Sequence, residues 1–309
     1  MVINISKIAI TVSVQKVLQY SVATILILLF FTIKAFAQIS KPEQTNKKPF
    51  VLGVIEEIQS SQLGEKRTIN IYLPEGYKQD DTTKYPVIYL LDGSAGEDFI
   101  HITGLIQFNS LDWIKRVPKS IVVGIANVVR QRDLTYPTTI EADKKKFPAA
   151  GHSNKFIAFI EKELQPFIEK NYKTNTSKTI IGHSLGGLLA TEILFTKPNL
   201  FNKYIILSPS LWWDNGSLLN RNPVILNDTF TQNIAIYIGV GKEGLVDISE
   251  TPHVMEVDAD LLAEKLKKTK SKNVTIYFDY LPQEVHETVI HQAVFNALRI
   301  LYPLTNDNK

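Results

Sequence analysis

The sequence predicts an α/β fold with a mainly parallel central sheet flanked by helices on both faces. Short β-branched runs alternate with longer stretches of helical period through most of the chain, the signature of a parallel sheet covered by crossover helices. Several of the short runs are apolar almost throughout, as strands buried on both faces must be.

The first segment stands apart from this pattern. Residues 1–37 read as an export signal: Lys7 and Lys16 precede an apolar run from Val22 to Ile33, and Ala35-Phe36-Ala37 is a small-x-small cleavage pattern before Gln38. The competing reading is a single membrane anchor, disfavoured because the run falls short of the ~20 residues that span a bilayer. Either way the remainder is expected to work outside the cytoplasm, periplasmic or secreted, with no stable membrane insertion after cleavage. Residues 38–50 are polar and read as a tether, leaving 51–309 as one domain.

No cysteine occurs, so a disulfide framework, thiolate chemistry and a lipid-attachment cysteine behind the signal are excluded. Removing residues 1–37 leaves 272 of the 309, enough for one hydrophobic core. The formal charge of +3 disappears with them, because that segment holds three lysines and no acid, leaving 31 basic against 31 acidic residues. That balance gives no electrostatic reason to expect nucleic acid as a partner.

The expected strands are Thr68 to Leu73, Val87 to Leu91, Ile121 to Ile125, Thr179 to Ile181, Tyr204 to Leu207, Ile234 to Val240 and Val274 to Phe278. Helices are expected at Asn154 to Glu169, Leu185 to Thr196, Asp258 to Lys268 and Thr288 to Leu301, where apolar residues recur at helical spacing. The least regular stretch, Asn127 to His152, follows a strand at its carboxyl end and is expected to overhang the crevice where open α/β sheets bind ligands.

The chemistry concentrates in Thr179 to Ala190, a strand running into Gly182-His183-Ser184-Leu185-Gly186 and then a helix. Such a turn exposes the serine hydroxyl, and glycines at −2 and +2 are expected because side chains there would meet the neighbouring strand and helix. A serine hydroxyl needs a base in hydrogen-bond reach and a carboxylate to orient that base. In this chain order the base lies downstream, leaving His253, His286 and His291; His286 is favoured because it sits in the loop between the last strand and the last helix. The acid should follow the strand ending at Val240. Glu243 is the first carboxylate there, with Asp247, Glu250, Glu256 and Asp258 further on.

An oxyanion intermediate needs two amide donors. Leu185, at the start of the nucleophile helix, is one candidate, and Gly93 in Leu90-Leu91-Asp92-Gly93-Ser94 is the other. Trp212 and Trp213 can floor an acyl or sugar pocket or cap the core, and residue type alone does not separate the two. Arg130 and Arg132 on the overhanging loop can meet an anionic or hydroxyl-rich substrate or form ion pairs. The six histidines show no metal-ligand spacing and no glycine loop ends in Lys-Ser or Lys-Thr, so neither metal nor other cofactor is expected.

These residues resemble the esterase family that includes esterase D, enterobactin-type siderophore esterases, feruloyl esterases and the mycolyltransferases. The resemblance runs from about Val51 to Tyr302. It is carried by Tyr85 to Gly93, by Val123 to Asn127 with Arg130, Arg132 and Asp133-Leu134-Thr135, by Gly182 to Gly187, by Ser208-Pro209-Ser210-Leu211-Trp212-Trp213, and by His286. It implies an α/β-hydrolase fold, hydrolysis of a small-molecule carboxylic ester through an acyl-enzyme, no cofactor, Ser184 as nucleophile, His286 as catalytic histidine and Arg130 near the substrate. The chain departs from many relatives at Glu287-Thr288, where they carry Gly-Ser. The siderophore-esterase branch is the nearest in its Leu-Asp-Gly, Arg and Ser-Leu-Trp-Trp segments. Acyl transfer with the same residues, and a binding protein on a hydrolase scaffold, are the rival functions.

Overall fold

The computed structural model describes residues 5–37, 46–246 and 251–303. The chain divides into two compact units, Met1–Val51 and Leu52–Lys309.

In the first unit a single helix, α1 (Ile5–Ala37), ends on the small-x-small triplet. Its segment Ser13–Thr32 is 20 residues long with a mean hydropathy of 1.7, long and apolar enough to cross a membrane. The apolar run read from Val22 was therefore too short: the weakly polar residues ahead of it join the same helix, and length does not argue against an anchor. A signal sequence near the N-terminus satisfies the same criterion.

The second unit is an eight-stranded sheet of β1 (Val54–Ser60), β2 (Glu65–Tyr72), β3 (Tyr85–Leu90), β4 (Ile121–Ile125), β5 (Thr174–His183), β6 (Lys203–Leu207), β7 (Ile234–Gly241) and β8 (Val274–Leu281). Its spatial order is β1-β2-β4-β3-β5-β6-β7-β8. β1 pairs antiparallel with β2, and β2 with β4; every other neighbour is parallel. This is an α/β-hydrolase sheet. It aims the carboxyl ends of β3, β5, β6, β7 and β8 at one edge, where ligands of such sheets bind.

Alternation along the strands feeds two cores. Val87, Tyr89, Ile180, Ile206 and Ile238 face one layer, which contains α5 (Ser153–Phe159), α6 (Gln165–Asn171), α7 (Leu185–Thr196), α8 (Trp213–Asn220) and α9 (Met255–Leu266). Ile88, Leu90, Ile181, Ile205 and Leu207 face the other, built from α2 (Phe99–Asn109) and α10 (Val289–Leu301). Coverage on both faces is why these strands read as continuous apolar runs.

Three elements differ from expectation. β1 lies at the sheet edge with most of its side chains at least partly exposed, so Glu56, Glu57 and Gln59 hid it from a search for apolar runs. α2 carries Ile, Thr and Gly104 in a run of ambiguous period. The helix expected from Asn154 to Glu169 contains a π-helical segment, Ile160–Leu164, just before Pro166; proline has no N–H for the carbonyl four residues back. The irregular stretch 127–152 holds two short helices, α3 (Arg130–Leu134) and α4 (Glu141–Lys146). It is fastened by the buried Arg67–Asp133 pair at 2.6 Å and by Arg132, which pairs with Glu65 and Asp133.

Candidate active site

Ser184 joins β5 to α7 with φ 58° and ψ −119°, a backbone state that costs a non-glycine residue about 1–3 kcal/mol and persists only where its surroundings impose it. Here they do. Its amide donates to the Leu207 carbonyl at 3.0 Å, and its own carbonyl accepts from the Leu188 and Ser210 amides at 2.9 and 3.1 Å. A Cβ at position 182 would lie 2.3 Å from the Gly186 carbonyl oxygen, and one at 187 would lie 2.8 Å from that of Leu207. At 186 the nearest atom is Asp92 Oδ2 at 3.2 Å. The steric demand therefore falls on positions −2 and +3 rather than on −2 and +2.

The side chain of Ser184 lies 3.3 Å from the hydroxyl of Ser210, oxygen to oxygen. Leu185 opens α7; amides of a first helical turn have no intrahelical acceptor, and the dipole adds positive potential there.

β7 and β8 stay paired to Gly241 and Leu281, so the loops leaving them start side by side. The Lys242 amide donates to the Glu284 carbonyl at 2.8 Å, and a Cβ on Gly241 would sit 2.6 Å from that oxygen. This close approach brings His286 Nδ1 to 2.6 Å from Glu243 Oε2. The Glu243 side chain is 3% exposed and that of His286 33%. Burial works to raise the Glu243 pKa, but hydrogen bonds from His286 and Ser208, the charge of His286 and the Gly241 amide outweigh it and hold the carboxyl below its ordinary value. An ionised carboxylate only accepts, so Nδ1 carries a proton and Nε2 is the nitrogen left to act as base.

His183, beside the nucleophile, packs its ring 4.6 Å from that of His286. Burial first, then His286, push its pKa down to about 4, so it is neutral at physiological pH. Its Nε2 is buried without a hydrogen-bond partner.

The other histidine candidates have different partners. His253 Nδ1 is 2.7 Å from Asp258 Oδ2, and its ring packs on Gly216. His291 Nδ1 is 3.1 Å from His101 Nε2. Among the acid candidates, Glu256 accepts from the Glu243 and Gly244 amides, and Asp247 and Glu250 lie outside the described residues. Among the described residues no group of three or more His, Asp or Glu could hold a metal ion.

One expectation is corrected, and three candidates left open in the sequence acquire defined contacts. The Gly93 amide is already donated to the Ile125 carbonyl at 3.0 Å, so it is not free for an oxyanion; its glycine is required because a Cβ would lie 2.5 Å from the Gly124 Cα. Arg130 forms an ion pair, with its side chain still 31% exposed. Its Nε and Nη2 bind Asp92 Oδ1 and Oδ2 at 2.6 and 2.8 Å, and Nη2 also reaches the His183 carbonyl at 3.4 Å. Trp213 is 1% exposed and donates Nε1–H to the Tyr136 carbonyl at 2.8 Å. Trp212 is 8% exposed and meets the Trp213 ring edge-on. Both tryptophans belong to the core, where large rings fill the space beneath the loop after β6.

Sequence reasoning passed over Ser208. Fully buried, it donates its hydroxyl to Glu243 Oε1. Its only signal was its place in Ser208-Pro209-Ser210.

Residues 60–287 match the family described as "Putative esterase". Ferri-bacillibactin esterase BesA of Bacillus subtilis is 30% identical over 268 residues, 82% of this chain and 92% of its own. An IroE-like serine hydrolase from Shewanella oneidensis superposes with a TM-score of 0.70 at 34% identity, covering 81% of this chain and 80% of its own. The BES protein of Bacillus cereus gives 0.71 at 29% identity, covering 85% and 100%. This chain belongs to that esterase family of α/β-hydrolases and is a serine carboxylic-ester hydrolase.

Proposed function

We propose that the chain hydrolyses a siderophore-type ester outside the cytoplasm through an acyl-enzyme on Ser184. The observation that carries the mechanism is the His286–Glu243 contact of 2.6 Å, in which Nδ1 is spent on the acid while the ring packs against the residue preceding the nucleophile. His286 Nε2 takes the Ser184 proton as Oγ attacks the ester carbonyl, and returns it to the departing alcohol. Water, deprotonated by the same nitrogen, then releases the acid. The Leu185 amide holds the oxyanion. A second donor comes from the turn after β3, where the Ser94 amide now donates to the exposed Glu97 carboxylate at 3.2 Å rather than to the sheet.

The substrate reading is supported by the ferri-bacillibactin esterase relative, which this chain matches over 92% of its length. The extracytoplasmic reading is supported by the apolar α1 segment. The test is turnover of a tricatecholate trilactone siderophore, with and without iron, beside methyl ferulate and short p-nitrophenyl esters, for wild type and Ser184→Ala. Cleavage of the trilactone well ahead of the ferulate, lost in Ser184→Ala, is expected. Equal or preferred ferulate turnover would refute the siderophore assignment and leave the esterase.

A further inference from the structure

The Ser208 hydroxyl stands behind the proposed acid. Ser208 follows β6 with φ 39°, a left-handed conformation that serine rarely adopts. Its amide donates to the Gly239 carbonyl at 2.8 Å, so the β6–β7 ladder continues through it as the chain turns. Its hydroxyl donates to Glu243 Oε1, while Oε2 takes His286 Nδ1. The two oxygens of one buried carboxylate are thus held from different strands, with the Gly241 amide adding a weaker contact to Oε1 at 3.3 Å.

We infer that Ser208 is a positioning residue of the catalytic machinery: it locks the rotation of the Glu243 carboxylate and through it the ring of His286. This rests on the Ser184–His286–Glu243 reading. A single bond to His286 would leave the carboxylate plane free to turn, and the imidazole with it; the second bond fixes both. Local geometry does not ask for serine, because glycine takes this φ at lower cost. What glycine lacks is the hydroxyl. No bond at Ser208 is made or broken in the reaction.

The bond also has an electrostatic sign. A donor on Oε1 stabilises the anion and lowers the proton affinity of the His286–Glu243 pair, so its loss raises that affinity. Among the described residues, the other titratable groups around the pair are His183 at the end of β5, Glu256 of α9, the chain neighbours Lys242, Glu284 and Glu287, and Asp92 with Arg130 beside His183. All are unchanged by substitution at 208.

The experiment measures kcat and KM for a p-nitrophenyl ester across pH in the full chain and in Ser208→Ala and Ser208→Gly. Loss of a hydrogen bond to a charged group should lower kcat about tenfold or more in both variants, with KM nearly unchanged. The acid limb of the kcat/KM profile should move to higher pH in both. Ser208→Gly relieves the backbone and so controls for folding. If it retains wild-type kcat and the wild-type limb, the hydroxyl is dispensable and the inference fails, even if Ser208→Ala is impaired. A wild type that turns over no ester and leaves Ser184 unlabelled by a fluorophosphonate fails differently, by removing the triad reading and the inference with it.

Discussion

Arg130 grips Asp92 through two parallel hydrogen bonds, 2.6 and 2.8 Å, at the point where β3 ends and the chain turns with Asp92 at φ 53°. Asn127 adds a third donor to Asp92 Oδ1 at 2.6 Å. This clamp lies against the nucleophile turn, since Asp92 Oδ2 is the atom nearest a Cβ at 186 and Arg130 reaches the His183 carbonyl. Removing the guanidinium leaves a mostly buried carboxylate short of its partner, and Arg130→Ala should cost about 2 kcal/mol of stability. Arg130→Lys should recover part of it, because an ammonium cannot reproduce the fork. The check is a double-mutant cycle with Asp92→Asn by denaturant unfolding. Additive losses, or an Arg130→Lys variant of normal stability that raises only KM, would put Arg130 on the substrate instead.

Replacement of the acid tests the tautomer. Glu243→Gln keeps the volume but removes the only-accepting partner of Nδ1, and its amide can stabilise the wrong imidazole tautomer. A fall in kcat of about 10³–10⁴-fold is expected, with Ser208 and His286 otherwise in place. Stopped-flow or steady-state turnover of a p-nitrophenyl ester measures it. A loss under about tenfold would make Ser184 and His286 a dyad that does without the carboxylate.

The nucleophile turn gives a ranked steric prediction. Gly182→Ala places a methyl 2.3 Å from a backbone oxygen, Gly187→Ala one at 2.8 Å, and Gly186→Ala one 3.2 Å from a carboxylate oxygen. Backbone moves less readily than a side chain, so destabilisation should decrease in that order, from several kcal/mol at 182 to about 1 at 186. Thermal unfolding of the three variants checks the order. Gly186→Ala proving the most damaging would contradict it.

Which parts of this site were legible in the sequence follows a physical divide. The turn at Ser184 is local: a strand, two or three glycines and a helix are all encoded within a dozen residues. His286 and Glu243 lie in the loops after strands adjacent in sequence and in the sheet, so the first carboxylate after β7 and the loop histidine after β8 could be read from chain order. Gly93 could not, because whether its amide is free depends on the Ile125 carbonyl of β4, a matter of how separate strands lie rather than of local pattern. Trp213 was ambiguous for the same reason, its indole N–H being taken by Tyr136, 77 positions away. β1 and α2 were missed because an edge strand need not be apolar, and a short apolar run with Gly104 has no clear period.

His183 and Asp98 give opposite pH signatures. The His183 pKa is pushed down to about 4 by burial and then by His286, below the ordinary histidine value. The unfolded chain therefore takes up a proton that the folded one refuses as pH falls from about 6.5 to 4, and stability is lost across that window by roughly 2–3 kcal/mol. Asp98 precedes α2 and has its pKa raised to about 6 by burial first and then by the charges of Asp92 and Glu97. Its folded form holds a proton that the unfolded one has released, so its penalty is present above pH ~6 and disappears toward pH ~4, about 1 kcal/mol once solvent screening of this partly exposed group is allowed for. His183→Asn should then flatten the acid-side decline of the melting temperature, whereas Asp98→Asn should raise the melting temperature at pH 8 and leave it unchanged at pH 4. Differential scanning calorimetry at pH 4, 6 and 8 separates the two. An Asp98→Asn variant no more stable than wild type at pH 8 would show that its carboxylate is solvated and not strained by its acidic neighbours, and a His183→Asn variant with the wild-type slope would place the acid-labile group elsewhere in the fold.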